Sequence, residues 1–348
     1  MKIDLSLDFG VGVDIGAAVA AERSGYDALW LAETRHDPLI SAGMIAARTE
    51  RITIGTSVFV AFARNPMTTA VAANDLQLYS EGRFLLGLGS QIKAHITRRF
   101  SMPWSEPARR MEEYIQALRA IWDAWATGAE LDFQGEFYTH TLMTPMFDPG
   151  TNPHGNPPIL IAGVGPQMTR VAGAVADGFL PHAVSTERYL RAVTLPTLAA
   201  ARAGVGKDLT GFEISGVPFI VTGATEEAMI DAAAMARKQV AFYASTPAYR
   251  TILELHGWAA LGEELTILSK RREWDEMARL IDDDMLGEIA IVAEPQNVAK
   301  LVIDRYGDLF TRVTPYPLGM PDPELWTPIV EDLRSLSDAT TLHPEAPR

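Results

Sequence analysis

The chain has 348 residues, of which 47% are hydrophobic, and this length allows one large α/β barrel or two ordinary domains. Its formal charge of −14 at pH 7 argues against nucleic acid or an anionic membrane as a partner. The absence of cysteine excludes disulfides, thiolate metal sites and a cysteine nucleophile.

We expect neither a signal peptide nor a membrane span. The opening MKIDLSLDF has the pattern of a strand, and no apolar run approaches the ~20 residues that a bilayer crossing needs. We therefore expect a cytoplasmic protein.

Short apolar runs alternate with helical patterns, which is typical of repeated βα units around a parallel sheet. Eight strands are predicted, at 2–9, 27–32, 51–60, 83–88, 158–163, 177–182, 212–222 and 309–316. Helices are predicted at 14–25 and at 105–127, where apolar residues recur three or four apart. Eight units favour a closed (β/α)8 TIM barrel over an open sheet.

Two stretches interrupt this repeat, and we expect one barrel domain over 1–348 with insertions at about 128–157 and 246–294. The first begins like a short hairpin and ends rich in Gly and Pro, and the second reads as additional helix. Loops of this length usually carry function or are disordered, and their aromatic content argues against disorder. The first insertion, with His140, is a candidate lid over an apolar substrate.

The third and fourth predicted strands carry the first candidate site, because ligands lie at the carboxyl ends of parallel strands. The third leads through Ser57 and Val58 to an irregular turn, and the fourth ends in Gly89, Ser90 and Gln91. Glycine there keeps a Cβ away from a ligand, and the two polar residues offer hydrogen bonds. An ordinary buried strand and a plain turn are the alternative interpretation.

The second candidate site follows the fifth strand, at Gly163, Val164 and Gly165. Pro166 suits the first position of a helix, so the backbone N–H groups before it would be free to bind a phosphate at the positive helix end. A helix start with no ligand explains the same residues.

The segments AERSGYDALWLAE, GTSVFVAFARNP and EGRFLLGLGSQ resemble the bacterial luciferase-like monooxygenase superfamily, most closely the branch that uses the deazaflavin coenzyme F420. The resemblance covers nearly the whole chain and is strongest in 22–91 and 158–182. It implies a TIM barrel that transfers a hydride between C5 of F420 and a small organic substrate.

The resemblance also implies a role for each candidate site. A non-prolyl cis peptide at Ser57–Val58 would support the back of the deazaflavin ring. The loop 89–91 would contact the edge of the ring, and 163–165 would bind the cofactor's phosphate. Gln91 and Ile92 stand where relatives often have Gly and Glu, which disfavours a sugar-phosphate substrate.

The turn after the second strand is the candidate for proton transfer. Many relatives have an acidic residue followed at once by His, whereas here Glu33 is followed by Thr34, and His36 comes two residues later. An imidazole suits acid–base work near neutral pH, so His36 is the candidate substitute. Alternatively, His36 caps the next helix or faces solvent, and Thr34 fills the histidine place with a hydroxyl.

Two alternative functions stay open. One is an FMN-dependent monooxygenase that uses reduced flavin and oxygen, and the other is a non-catalytic cofactor-binding relative. His182, at the end of the sixth strand, is a candidate to line the pocket, and the histidines show no metal-type spacing. The resemblance implies a small-molecule substrate and a possible homodimer.

Overall fold

The computed structural model describes residues 1–7, 14–318 and 323–342. Its strands are β1 (Lys2–Ile3), β2 (Leu5–Leu7), β3 (Ala28–Leu31), β4 (Thr53–Thr56), β5 (Phe59–Val60), β6 (Phe84–Gly89), β7 (Phe133–Gln134), β8 (Thr139–His140), β9 (Ile159–Gly163), β10 (Gly178–Pro181), β11 (Glu213–Gly216), β12 (Phe219–Val221), β13 (Ala290–Val292), β14 (Arg312–Val313) and β15 (Tyr316–Pro317).

The helices are α1 (Ile15–Arg23), α2 (Pro38–Ala46), α3 (Pro66–Tyr79), α4 (Lys93–Arg98), α5 (Pro107–Thr127), α6 (Pro166–Val175), α7 (Glu187–Tyr189), α8 (Leu195–Gly204), α9 (Glu226–Ala244), α10 (Arg250–Leu255), α11 (Ala259–Arg271), α12 (Trp274–Arg279), α13 (Asp283–Ile289), α14 (Pro295–Tyr306) and α15 (Pro323–Leu342). A π-helical turn, Leu190–Thr194, joins α7 to α8.

The main sheet is parallel and closes into a barrel. Its strand order is β1, β14, β11, β10, β9, β6, β4, β3, β2. The two ends of this order are halves of one strand interrupted at Asp4, because Lys2 pairs with Arg312 while Leu5 pairs with Leu29. The TIM-barrel fold is therefore confirmed.

Every predicted barrel strand corresponds to an observed one, but several are shorter or split. The third divides into β4 and β5 around Ser57 and Val58, and the first divides at Asp4, with residues 8 and 9 outside the described ranges. The seventh divides into β11 and β12 and the eighth into β14 and β15, and β12 lies between β13 and β15 in a separate parallel sheet.

The stretch 246–294 also contains the strand β13, which the sequence did not predict. This strand spans three residues and follows α13 directly. An apolar run this short has no periodicity that would distinguish a strand from the end of a helix. The rest of this insertion forms α10 to α13.

The first insertion does contain a hairpin, with Phe133 opposite His140 in an antiparallel pair. The Glu113 carboxylate on α5 accepts hydrogen bonds from the backbone N–H groups of Glu136, Phe137 and Tyr138. The hairpin is thereby fixed to α5.

The barrel interior contains a buried polar group that the sequence analysis missed. Alternate residues of a strand face opposite sides, so Asp4 points inward while Ile3 and Leu5 pack against the helices. The Asp4 carboxylate accepts from Arg312 Nε at 2.7 Å and from Trp30 Nε1 at 2.8 Å. This network fixes the indole inside the barrel.

Within the described ranges, no helix is both long and apolar enough to cross a bilayer.

Candidate functional site

The peptide bond between Ser57 and Val58 is cis, and it separates β4 from β5. Ser57 N–H donates to the Leu31 carbonyl at 2.8 Å, and Glu33 N–H donates to the Val58 carbonyl at 3.2 Å. The half-buried Val58 side chain packs on the interior cluster that includes Trp30. A small apolar surface therefore lies at the carboxyl end of the third strand.

The end of the fourth strand lies against this surface. A Cβ on Gly89 would come within 2.6 Å of Val58 Cγ2, so packing inside the protein requires this glycine. Ser90 Oγ donates to the Gln91 carbonyl, and Gln91 Oε1 accepts from Ile92 N–H. Gln91 has a φ of 58°, in the left-handed region that favours glycine.

The helix α6 begins without a side-chain cap. Its N-cap is Gly165, and a Cβ built there meets no atom within 4 Å. The first-turn N–H groups of a helix have no partner inside it, so this end of α6 is open to an anion. Tyr189 Oη donates to the Val164 carbonyl at 3.2 Å and lies 3.1 Å from Thr251 Oγ1. The loop 163–165 is thus tied to α7 by Tyr189, which in turn contacts the second insertion at Thr251.

Arg250, beside Thr251, carries an unsatisfied buried donor. Its side-chain Nε is buried and has no hydrogen-bond partner among the described residues. A buried polar atom without a partner is uncommon in native proteins, and a bound anion would satisfy it. The signal at Arg250 is the burial of this atom, which sequence spacing does not indicate.

Glu33 is held in an ion pair. Both carboxylate oxygens lie 2.9 Å from Arg64 Nη1, and Oε2 accepts from Val60 N–H at 2.8 Å. Only 6% of the Glu33 side chain is exposed, and Arg64 also bonds to Asp37. The carboxylate thus ties the turn after β3 to β5, directly behind the cis peptide.

Replacing Glu33 by Gln is expected to lower the free energy of unfolding by about 1–2 kcal/mol, because the amide keeps one acceptor but loses the charge that Arg64 requires. Urea denaturation measures this loss. Glu136→Gln, on the exposed pair with Arg109, is the control and should change stability by less than about 0.5 kcal/mol. Unchanged stability with lost turnover would instead identify Glu33 as an acid that acts in the reaction.

Thr34 and His36 are both exposed on the turn that follows β3. The Thr34 carbonyl accepts from Arg99 Nη2 at 2.7 Å, which fixes the turn to α4. Asp37 caps α2 by accepting from Leu39 N–H, so the alternative in which His36 caps that helix is wrong. Which of the two side chains meets the reacting atoms stays a prediction.

His182 follows β10 and lies among aromatic rings. Its ring centroid is 4.5 Å from that of Tyr243 and 4.7 Å from that of Tyr249, and Nδ1 accepts from Val184 N–H at 3.3 Å. Burial lowers the pKa of His182 to about 4, so the ring is neutral near pH 7.

The opposite, amino-terminal end of the barrel has a polar cleft of about 380 Å³. Its lining includes Lys2, Asp27, Arg51 and Arg312. Lys2 pairs with Glu213 and Arg312 with Asp4, so two of these cations already have partners.

The comparisons with known proteins agree with this architecture. The profile of the luciferase-like monooxygenase family matches residues 15–312. An uncharacterised protein of Mycobacterium tuberculosis (strain ATCC 25618 / H37Rv) is 48% identical over 315 residues, which cover 90% of this chain and 93% of that protein.

Two further matches are to proteins named for F420. The F420-dependent glucose-6-phosphate dehydrogenase of Nocardia farcinica is 31% identical over 220 residues, covering 59% of this chain and 63% of that protein. The structure of coenzyme F420-dependent tetrahydromethanopterin reductase from Methanopyrus kandleri superposes with a TM-score of 0.78 at 18% identity, covering 96% of this chain and 99% of that one. The chain therefore belongs to the luciferase-like monooxygenase family.

Proposed function

We propose that the protein is a coenzyme F420-dependent oxidoreductase that transfers a hydride between C5 of the deazaflavin and a small organic substrate. The observation that carries the proposal is the pairing, at the carboxyl end of the barrel strands, of the apolar Val58 surface with the uncapped start of α6. The flat ring of such a cofactor could pack on the Val58 surface, and its phosphate-bearing tail could bind at the start of α6. Relatives named for F420 support this choice of cofactor over FMN.

The residues present fit such a group. Ser57 and Val58 would support the ring, and Gly89, Ser90 and Gln91 would lie along its edge. The backbone of Gly163, Val164 and Gly165 would bind the phosphate. The unsatisfied Nε of Arg250 supports an anion beside that loop.

When bound, F420 supplies a carrier that gives or accepts a hydride at C5. The protein's part is to orient the substrate and exclude water. The Glu33–Arg64 pair holds the segment behind the ring site. The exposed turn with Thr34 and His36 is the proposed route by which the substrate oxygen exchanges its proton with solvent.

Separate titrations with F420 and FMN test the cofactor. We expect saturable micromolar binding of F420, followed by its fluorescence, and much weaker binding of FMN. Micromolar FMN binding without F420 binding would support the FMN-dependent monooxygenase and exclude our proposal. F420 binding without turnover of any alcohol, aldehyde or enone would favour the non-catalytic relative.

A charge placed at the start of α6 tests the phosphate site. Gly165→Asp is expected to weaken F420 binding roughly 10- to 30-fold, because the carboxylate repels the phosphate at short range. The same change should stabilise the fold by up to about 1 kcal/mol, since Asp is a good N-cap. Titrations and thermal melts measure the two effects.

Gly165→Asn is the matched control, because it has the same size and capping ability without the charge. Its affinity for F420 should stay within about 3-fold of wild type, and the Asp effect should shrink at high salt. Equal affinities for the Asp and Asn variants would show that the phosphate lies elsewhere.

A further inference from the structure

The position of His182 suggests a role that the cofactor site does not explain. In β10, Leu180 faces the barrel interior and packs in the cluster with Trp30 and Leu160. The strand pairs with β9 through Pro181 and Gly163. His182 is the first residue after β10, so it lies at the carboxyl end of the barrel strands, where ligands of parallel barrels bind.

The ring is held in one orientation and one tautomer. Nδ1 accepts the hydrogen bond from Val184 N–H, so the proton of the neutral imidazole is on Nε2. Tyr243 packs edge-on against the ring at an interplanar angle of 78°, and Tyr249 lies tilted at 38°. These contacts hold the imidazole in place, so that its Nε2–H is a fixed donor beside two aromatic rings, which we call the aromatic wall.

The surroundings of the ring extend this wall. Tyr243 stacks near Phe219, whose ring also contacts Tyr316. Burial raises the pKa of Tyr249 to about 12, so this side chain also stays neutral near pH 7. A neutral donor beside neutral aromatic rings suits an uncharged substrate oxygen next to an apolar body.

We propose that His182 Nε2–H donates a hydrogen bond to the oxygen of the substrate's reacting carbonyl or hydroxyl group, with Tyr243 and Tyr249 forming the wall beside it. This assignment rests on the proposed function and names its substrate class as neutral ketones or aldehydes and their alcohols.

The reaction balances without a further reactant. In the reducing direction, the hydride of reduced F420 forms the new C–H bond, and the π pair of the C=O bond moves to oxygen. The oxygen would take a proton from solvent, and the proton that reduced F420 loses besides the hydride would go to solvent, so that the cofactor ends oxidised and no net proton is consumed. His182 keeps its own proton and stabilises the charge that develops on the oxygen.

The test uses cyclohexanone with the full-length protein and reduced F420. His182→Phe keeps an aromatic ring but removes the donor, and kcat/KM should fall about 100-fold. His182→Gln retains an N–H donor and should lose less than about 10-fold. His154→Gln, on an exposed loop, is the matched control and should stay within about 2-fold of wild type.

A second measurement does not depend on turnover. Carbonyl-¹³C cyclohexanone should show a downfield shift on binding to wild type that is absent with His182→Phe. F420 affinity is measured for each variant and should be unchanged within about 2-fold, since the His182 side chain is proposed to contact the substrate and not the cofactor.

The outcomes separate the two proposals. If wild type does not bind F420, the proposed function fails, and this assignment fails with it. If F420 binds but cyclohexanone is neither bound nor reduced, the substrate class is wrong. If wild type reduces the ketone and His182→Phe matches it within about 3-fold, the role of His182 is overturned while the proposed function stands.

Discussion

Replacing Gly87 by Ala is expected to cost at least about 4 kcal/mol of stability, enough to unfold a protein of ordinary stability. A Cβ at this position would lie 1.8 Å from the Thr56 carbonyl oxygen, which is a backbone atom. The Thr56 hydroxyl also donates to the Gly87 carbonyl at 2.8 Å and accepts from its N–H at 2.9 Å. Neither strand can move away, so the clash cannot be relieved by a side-chain rotation.

Urea denaturation of the purified variant measures the effect, with yield of folded protein as the second readout. Gly287→Ala is the control, because a Cβ there meets nothing within 4 Å and the residue lies inside α13. That change should stabilise the protein by about 0.5–1 kcal/mol through helix propensity. A loss below about 1 kcal/mol for Gly87→Ala would show that β4 and β6 are less rigidly joined than the structure indicates.

Replacing Arg312 by Met is expected to cost about 3–5 kcal/mol, because it leaves the Asp4 carboxylate buried without its partner. Both side chains are almost completely buried, at 2% and 0% exposure. Burial raises the pKa of Asp4, while Arg312 and the Trp30 hydrogen bond oppose that shift. Without Arg312 the pKa rises further, so the variant should go on losing stability with rising pH beyond the point at which the stability of wild type levels off.

The double variant Asp4→Asn/Arg312→Met removes both charges and should recover much of the loss, which a double-mutant cycle measures. Arg109→Met, at an exposed ion pair, is the control and should change stability by less than about 0.5 kcal/mol. If Arg312→Met were as mild as this control, the buried pair would contribute little to the barrel.

The barrel could be predicted from sequence because parallel strands buried on both faces form uninterrupted apolar runs. The runs that became β6 and β9 were predicted within one residue at each end. The breaks were harder to foresee. Asp4 and Arg312 are 308 positions apart, so no local pattern indicates their pairing.

The candidate site was predictable in its location and less so in its details. Small residues at the carboxyl ends of predicted strands indicated Ser57, Gly89 and Gly163. The position of the cis peptide came from the resemblance alone. Gly89 also makes room for Val58 Cγ2, a packing requirement that the sequence pattern did not reveal. The Glu33–Arg64 pair and the unsatisfied Arg250 Nε depend on tertiary contacts that sequence spacing does not encode.

A crystal structure of the protein with F420 bound would show where the cofactor lies. We expect the deazaflavin ring to pack against Val58 and the phosphate to be hydrogen-bonded to the backbone at the start of α6. F420 bound instead in the amino-terminal cleft beside Lys2 and Arg51, or a ring out of contact with Val58, would contradict this expectation.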